Sequence, residues 1–166
     1  VNSTAIQLGC HLGAEVHVVA GGSEKAQRAE ELGAALVIDY KADAAWHKPL
    51  FTATERHGYD VIIDNVGHAT WKQSLRLAGI GGRIVTVGNT SGPLAETDIR
   101  FIFSRQLSIL GSTMGSHADF AAVLELLAQG ALKPLIHCEL PLSKGARGHE
   151  ILEQGEMFGK VVLLPD

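Results

Sequence analysis

The richest chemistry lies in residues 15–32, EVHVVAGGSEKAQRAEEL. A short apolar run leads into Gly21 and Gly22, and an amphipathic helical pattern follows. Strand, glycine turn and helix in that order form the working part of a nucleotide-binding α/β unit. The residues just past such a strand sort dinucleotides. An Asp or Glu there hydrogen-bonds a ribose 2′-hydroxyl, whereas Ser and Lys suit a 2′-phosphate. Here no acid directly follows the strand, and Ser23 and Lys25 lie close by. The pattern leans to NADP(H), with NAD(H) as the other choice. Ser23 also reads as a helix N-cap and Lys25 as a solvated lysine. The two readings are compatible, because a helix N-terminus itself attracts anions. Glu24, between them, works against an anion.

Small and hydrogen-bonding residues recur where later strands should end. The turns are Asp39-Tyr40, Asn65-Val66-Gly67, Gly88-Asn89 and Gly111-Ser112-Thr113. In an open parallel sheet, ligands sit outside the carboxyl ends of the strands. Small turn residues there let backbone amides reach phosphate, ribose or carboxamide. Any one such turn also serves a plain αβ connection, but these four and Ala20-Gly21-Gly22, five in register, point to a ligand groove. Other chemistries lack their residues. There is no HExxH, no GxSxG, no GxxxxGK[ST] and no Tyr-x-x-x-Lys pair. His11, His17, His117 and His137 read as surface or structural histidines. Asp64 reads as a buried or turn-capping carboxylate rather than a general base.

The elements that must position these turns follow from periodicity. Strands are expected over 15–20, 35–38, Tyr59–Asp64, 82–87, 107–110, 135–140 and Lys160–Leu164. Helices are expected over 4–12, 25–32, 44–57, 70–77, 98–104, 118–129 and 144–154. Asn2, Ser3 and Thr4 are candidate caps for the first of them. Short apolar strands alternating with helices of about ten residues describe a parallel sheet covered on both faces. The opening is odd, because a helix begins at once where a strand and a glycine turn should feed it.

Bulk properties narrow the class. The 166 residues are 46% hydrophobic and 19% charged, an ordinary globular composition. A net charge of −4 gives no general pull toward nucleic acid or an anionic membrane. No apolar run approaches the ~20 residues of a membrane span. Cys10 and Cys138 are too few and too far apart for a disulfide framework or a structural zinc site. A reducing cytoplasm is therefore the default setting.

Taken in order, VNSTAIQLG, AGGSEKAQRAEELGA, YDVIIDNVG, GGRIVTVGNTSG, LSILGSTMGS and FGKVVLLPD resemble the medium-chain dehydrogenase/reductase superfamily. The resemblance is closest to its zinc-type alcohol dehydrogenase-like and quinone oxidoreductase-like members, and it covers essentially the whole chain. It implies an α/β, Rossmann-type doubly wound parallel sheet that lacks its first, central strand. Residues 1–134 would be the dinucleotide-binding domain. Residues 135–166 would be a tail that partly returns to a catalytic domain outside this chain.

The resemblance also assigns residues. Ser23 and Lys25 would meet the 2′-phosphate of NADP, and Tyr40 would lie at the adenosine end. Asn65, Val66, Gly88 and Asn89 would line the ribose and nicotinamide side, and Ser112 and Thr113 would approach the nicotinamide. Val1 and Asn2 would offer amides to the pyrophosphate. The implied reaction is hydride transfer between the nicotinamide and a small carbonyl, alcohol, quinone or activated alkene. Zinc, if the full protein uses it, would find its ligands elsewhere, and this stretch alone would be inactive. A homodimer or tetramer would form through the edge strand at 107–110. The rivals are a non-catalytic dinucleotide-binding module and another doubly wound enzyme such as a methyltransferase.

Overall fold

The computed structural model describes residues 1–155 and 157–166. Its elements run α1 (Asn2–His11), β1 (His17–Ala20), α2 (Ser23–Glu31), β2 (Leu36–Asp39), α3 (His47–Ala53), β3 (Tyr59–Asp64), α4 (Trp71–Leu77) and β4 (Ala78–Thr86). They continue with α5 (Ile99–Ser104), β5 (Ser108–Gly111), α6 (His117–Ala128), β6 (Ile136–Pro141), α7 (Gly145–Gln154) and β7 (Lys160–Leu164). The chain forms two compact units, one of Val1–Val37 with His117–Asp166 and the other of Ile38–Ser116.

In the first unit, β1 pairs with β2 at the unit's boundary, and β6 pairs in parallel with β7. Helix α2 is mostly polar, so local pairs support it: Arg28–Glu24 at 3.2 Å and Gln27–Glu31 at 3.2 Å. It stops at Gly33, whose φ of +101° suits only glycine comfortably. Helix α1 is capped by Val1 with no side-chain hydrogen bond, so Asn2, Ser3 and Thr4 are not its caps. Among the described residues of this unit the buried apolar ones are few: Ile6, Ala29 and Leu132. Helix α6 shows Phe120, Val123 and Leu124 to solvent.

In the second unit, β3, β4 and β5 make a three-stranded parallel sheet in that order. The ladder runs Val61 to Arg83 through Asp64 to Thr86, and Arg83 to Ser108 through Thr86 to Gly111. Leu75, Ala78, Ile84 and Leu107 form the core, with Ile62, Trp71, Phe101 and Ile102 packed against it. Two extents differ from expectation. Strand β4 begins at Ala78 rather than 82, because Gly79 and Gly82 let it pass beside the backbone of residues 57–59. A Cβ on Gly79 would meet the His57 carbonyl at 2.8 Å, and one on Gly82 the Tyr59 carbonyl at 2.8 Å. The register shifts between Tyr59 and Val61 in consequence. Helix α3 is shorter than 44–57, because Glu55 and Arg56 turn left-handed at φ 51° and 66°. Pro49 sits in its first turn, where the amide it lacks has no intrahelical partner anyway.

Candidate functional site at the strand ends

Asp64 closes β3, 4% exposed, and four groups donate to its carboxylate. The amides of Val66 and Gly67 reach Oδ1 at 3.0 Å each. The Thr70 hydroxyl lies 2.9 Å from both oxygens, and the Ser74 hydroxyl donates to Oδ2 at 2.7 Å. Thr70 and Ser74 stand one helical turn apart, so both present to the same carboxylate. The charge is buried but fully hydrogen-bonded, which is the condition for its being there. Asp64 is thus a structural anchor for the turn, as its position in the sequence suggests.

The loop after β4 packs on that turn. Val87 N–H donates to the Asp64 carbonyl at 3.1 Å, and Thr90 N–H to the Asn65 carbonyl at 3.4 Å. The Ser91 hydroxyl donates to the Val66 carbonyl at 2.7 Å and accepts from Ala69 N–H at 2.9 Å. A Cβ on Gly88 would lie 3.2 Å from the Asn65 carbonyl, so any side chain there would press on the Asn65 backbone. The structure thereby brings Asn65, Val66, Gly88 and Asn89 together. Their backbone is fixed by neighbours, while among the described residues the side-chain amides of Asn65 and Asn89 make no hydrogen bond. Beside them, Ser112 N–H donates to the Thr86 carbonyl at 3.0 Å and carries β5 into the exposed Ser112 and Thr113. Ser91 and Thr70 were not singled out in the sequence. The helical spacing of Thr70 and Ser74 behind Asp64 is the signal that could find Thr70.

The turn after β1 lies in the other unit. Its N-cap is Gly22, at φ 101° and ψ 150°, with no side-chain cap. Ser23 is the first helical residue and not the cap, because only glycine readily takes that backbone conformation. Its hydroxyl makes no hydrogen bond among the described residues. Glu24 is held by Arg28, one turn along the helix. Lys25 is partly buried, and its Nζ donates to the Gly155 carbonyl. The Arg28 guanidinium lies 5.6 Å from the centre of the Phe158 ring. Gly155 and Phe158 thus brace the first turns of α2, a long-range contact with no local signal. Val1 and Asn2 are exposed at the start of α1 in the same unit, and Tyr40 is 48% exposed beyond β2.

The residues fit a nucleotide better than a metal. Glycines allow close backbone approach at Gly22 and Gly88, two helices begin at the candidate turns, and Asn65 and Asn89 keep unclaimed amides. Among the described residues no group of three or more His, Cys, Asp or Glu could hold a metal ion. No helix among them is long and apolar enough to cross a membrane.

Parallel strands with glycine- and asparagine-bearing carboxyl ends, alternating with helices, define an α/β fold of the Rossmann type. Comparison with known proteins gives the family. The chain belongs to the zinc-binding dehydrogenase family, whose profile matches residues 1–129. It is 31% identical to a quinone oxidoreductase of Rattus norvegicus, over 92% of this chain and 47% of that protein. It is 29% identical to a zinc-type alcohol dehydrogenase-like protein of Leptosphaeria maculans, over 93% of this chain and 45% of that one. A crystal structure of an NAD-dependent alcohol dehydrogenase superposes with a TM-score of 0.91 at 36% identity, covering 99% of this chain and 48% of the other. The chain spans about half the length of the relatives it matches. The family is one of oxidoreductases.

Proposed function

We propose that this chain is the cofactor-binding portion of an NADP(H)-dependent oxidoreductase acting on a small carbonyl or alcohol, a quinone or an activated alkene. The observation that carries the cofactor choice is the first turn of α2. Ser23 has an unclaimed hydroxyl, Glu24 is drawn off by Arg28, and Lys25 is anchored through Gly155. An ammonium group has three donors, so the bond to Gly155 leaves two for a 2′-phosphate. Helix-terminal amides add to the same anion preference. Tyr40 would lie at the adenosine end, and Val1 and Asn2 would offer amides to the pyrophosphate. Asn65, Val66, Gly88, Asn89, Ser112 and Thr113 would hold the ribose and nicotinamide.

The nicotinamide would supply the hydride chemistry when bound. The chain's own part is to bind and orient it. Catalytic groups, and zinc if it is used, would come from a domain outside this stretch, to which residues 135–166 would partly return. By itself the stretch would be inactive. The free edge of β5 would pair with a second copy, giving a dimer or tetramer in the cytoplasm.

The test is Lys25→Ala in the full-length protein, with NADPH and NADH affinities measured by titration. NADPH affinity should fall roughly tenfold or more, the worth of one charge-assisted hydrogen bond, with NADH affinity unchanged. An unchanged NADPH affinity would sink the 2′-phosphate assignment.

A further inference from the structure

We infer that the unit Ile38–Ser116 carries a second ligand site, for an organic phosphate with a flat apolar group, at the end of its sheet away from Asn65, Gly88 and Ser112. A cavity of about 530 Å³ opens there, within the ordinary range for small-molecule sites. Its floor is apolar: Phe51 on α3, Leu77 on α4 and Phe101 on α5. Its rim is cationic: Lys48, Arg56, Arg76 and Arg105, with no acidic residue in the lining among the described residues.

The position follows from the topology. Arg56 comes just before β3, Leu77 just before β4, and Arg105 just before β5. These are the amino ends of the three strands. Asn65, Gly88 and Ser112 follow the carboxyl ends of the same strands. The length of β3 alone separates the two ends by roughly 17 Å.

Four cations gathered around an apolar floor repel one another unless an anion joins them. Among the described residues, only Arg105 of the four is committed by hydrogen bonds. Its Nη1 donates to the carbonyls of Arg76 and Ala78 at 2.7 and 2.8 Å, and its guanidinium lies 4.9 Å from the centre of the Phe101 ring. Among the described residues, the side chains of Lys48, Arg56 and Arg76 make no hydrogen bond or ion pair. Asp98, the acid that Arg76 acts on electrostatically, is already gripped by Arg100 at 2.9 and 2.8 Å. Arg56 is presented by two consecutive left-handed non-glycine residues, a costly backbone of the kind that gathers at ligand clamps. His47 lines the same cavity, and its Nδ1 is buried with no hydrogen-bond partner. Arginine forks suit phosphate oxygens, and the phenylalanine floor suits a flat ring.

The inference stands apart from the cofactor reading, and its test keeps the two separate. Phenyl phosphate, inorganic phosphate and benzyl alcohol are titrated calorimetrically into the full-length protein. Phenyl phosphate should bind at least tenfold more tightly than either of the others. The pair Arg56→Gln and Arg76→Gln should weaken it at least tenfold, and Lys25→Ala should leave it unchanged. Should the glutamine pair fail to fold, Lys48→Gln carries the same test with a severalfold loss. Binding that survives these rim substitutions overturns the site. So does binding lost in Lys25→Ala, which would place the probe at the α2 turn. Equal affinity for inorganic and phenyl phosphate would overturn the role of the apolar floor.

Discussion

After β3, the turn into α4 is closed by a buried carboxylate that accepts from two amides and two hydroxyls. After β1, the turn into α2 is closed by backbone alone, with Gly22 at the cap and no side-chain bond. Both are strand–glycine–helix units, and the sequence writes them in much the same way. The first spends its carboxylate and both hydroxyls internally, leaving the Asn65 amide unclaimed, and sits on the contiguous core of Leu75, Ala78, Ile84 and Leu107. The second keeps a hydroxyl unclaimed and borrows its rigidity from Gly155 and Phe158. A closed turn offers a ligand a fixed surface. An open one leaves side-chain donors uncommitted at a helix start, where anions are favoured.

This contrast can be broken in three ways, all in the full-length protein. Asp64→Ala should have the largest effect, roughly 4 kcal/mol in urea unfolding. Two part-buried amides are left bare at about 1–3 kcal/mol each, and two hydroxyls lose their acceptor. A loss near zero would mean the anchor is ornamental. Next comes the glycine pair. A methyl group at Gly67 meets positive φ and also the Gly92 carbonyl at 2.9 Å, so Gly67→Ala should cost about 2–3 kcal/mol. At Gly22 nothing lies within 4 Å, so Gly22→Ala should cost only about 1 kcal/mol, from strain alone. Equal losses would erase the distinction between closed and open turns.

The smallest effect concerns a second capping aspartate, Asp98, which accepts from Arg100 N–H at the start of α5. The Arg100 side-chain hydrogen bond, aided by its charge, holds the Asp98 carboxyl below its ordinary value. A depressed folded value means that this stabilisation is present above the unfolded carboxylate pKa, about 3.9, and is lost as pH falls through the folded value. Arg100→Gln should therefore flatten the dependence of Tm on pH below about pH 4 and leave Tm near neutrality almost unchanged. A large change at neutral pH would show that an exposed cap can matter as much as the buried one.

The sequence made β3 and β7 legible to the residue, because YDVIID and KVVLL are dense in β-branched residues with a glycine just before each. Strand β4 was only half legible. Its Gly-Ile-Gly-Gly stretch reads as a breaker, yet glycine is what lets it lie against residues 57–59. The oxidoreductase family, too, could be read from ordered motifs. The bracing of Lys25 by a carbonyl 130 residues away could not, since no local pattern encodes a contact at that separation. The cationic cavity was hidden for the same reason, as its arginines are scattered singly before three strands.

The order of the units along the chain bears on how the protein is made. The stretch Ile38–Ser116 is continuous, whereas the other unit joins Val1–Val37 to His117–Asp166. During synthesis the continuous stretch leaves the ribosome before its neighbour's second half exists, and its sheet closes over shorter loops. Until His117–Asp166 follow, α2 lacks the bracing from Gly155 and Phe158, and the apolar residues of β1 and β2 wait in an incomplete unit. During that interval the apolar surface of the incomplete unit is uncovered, a condition that favours aggregation.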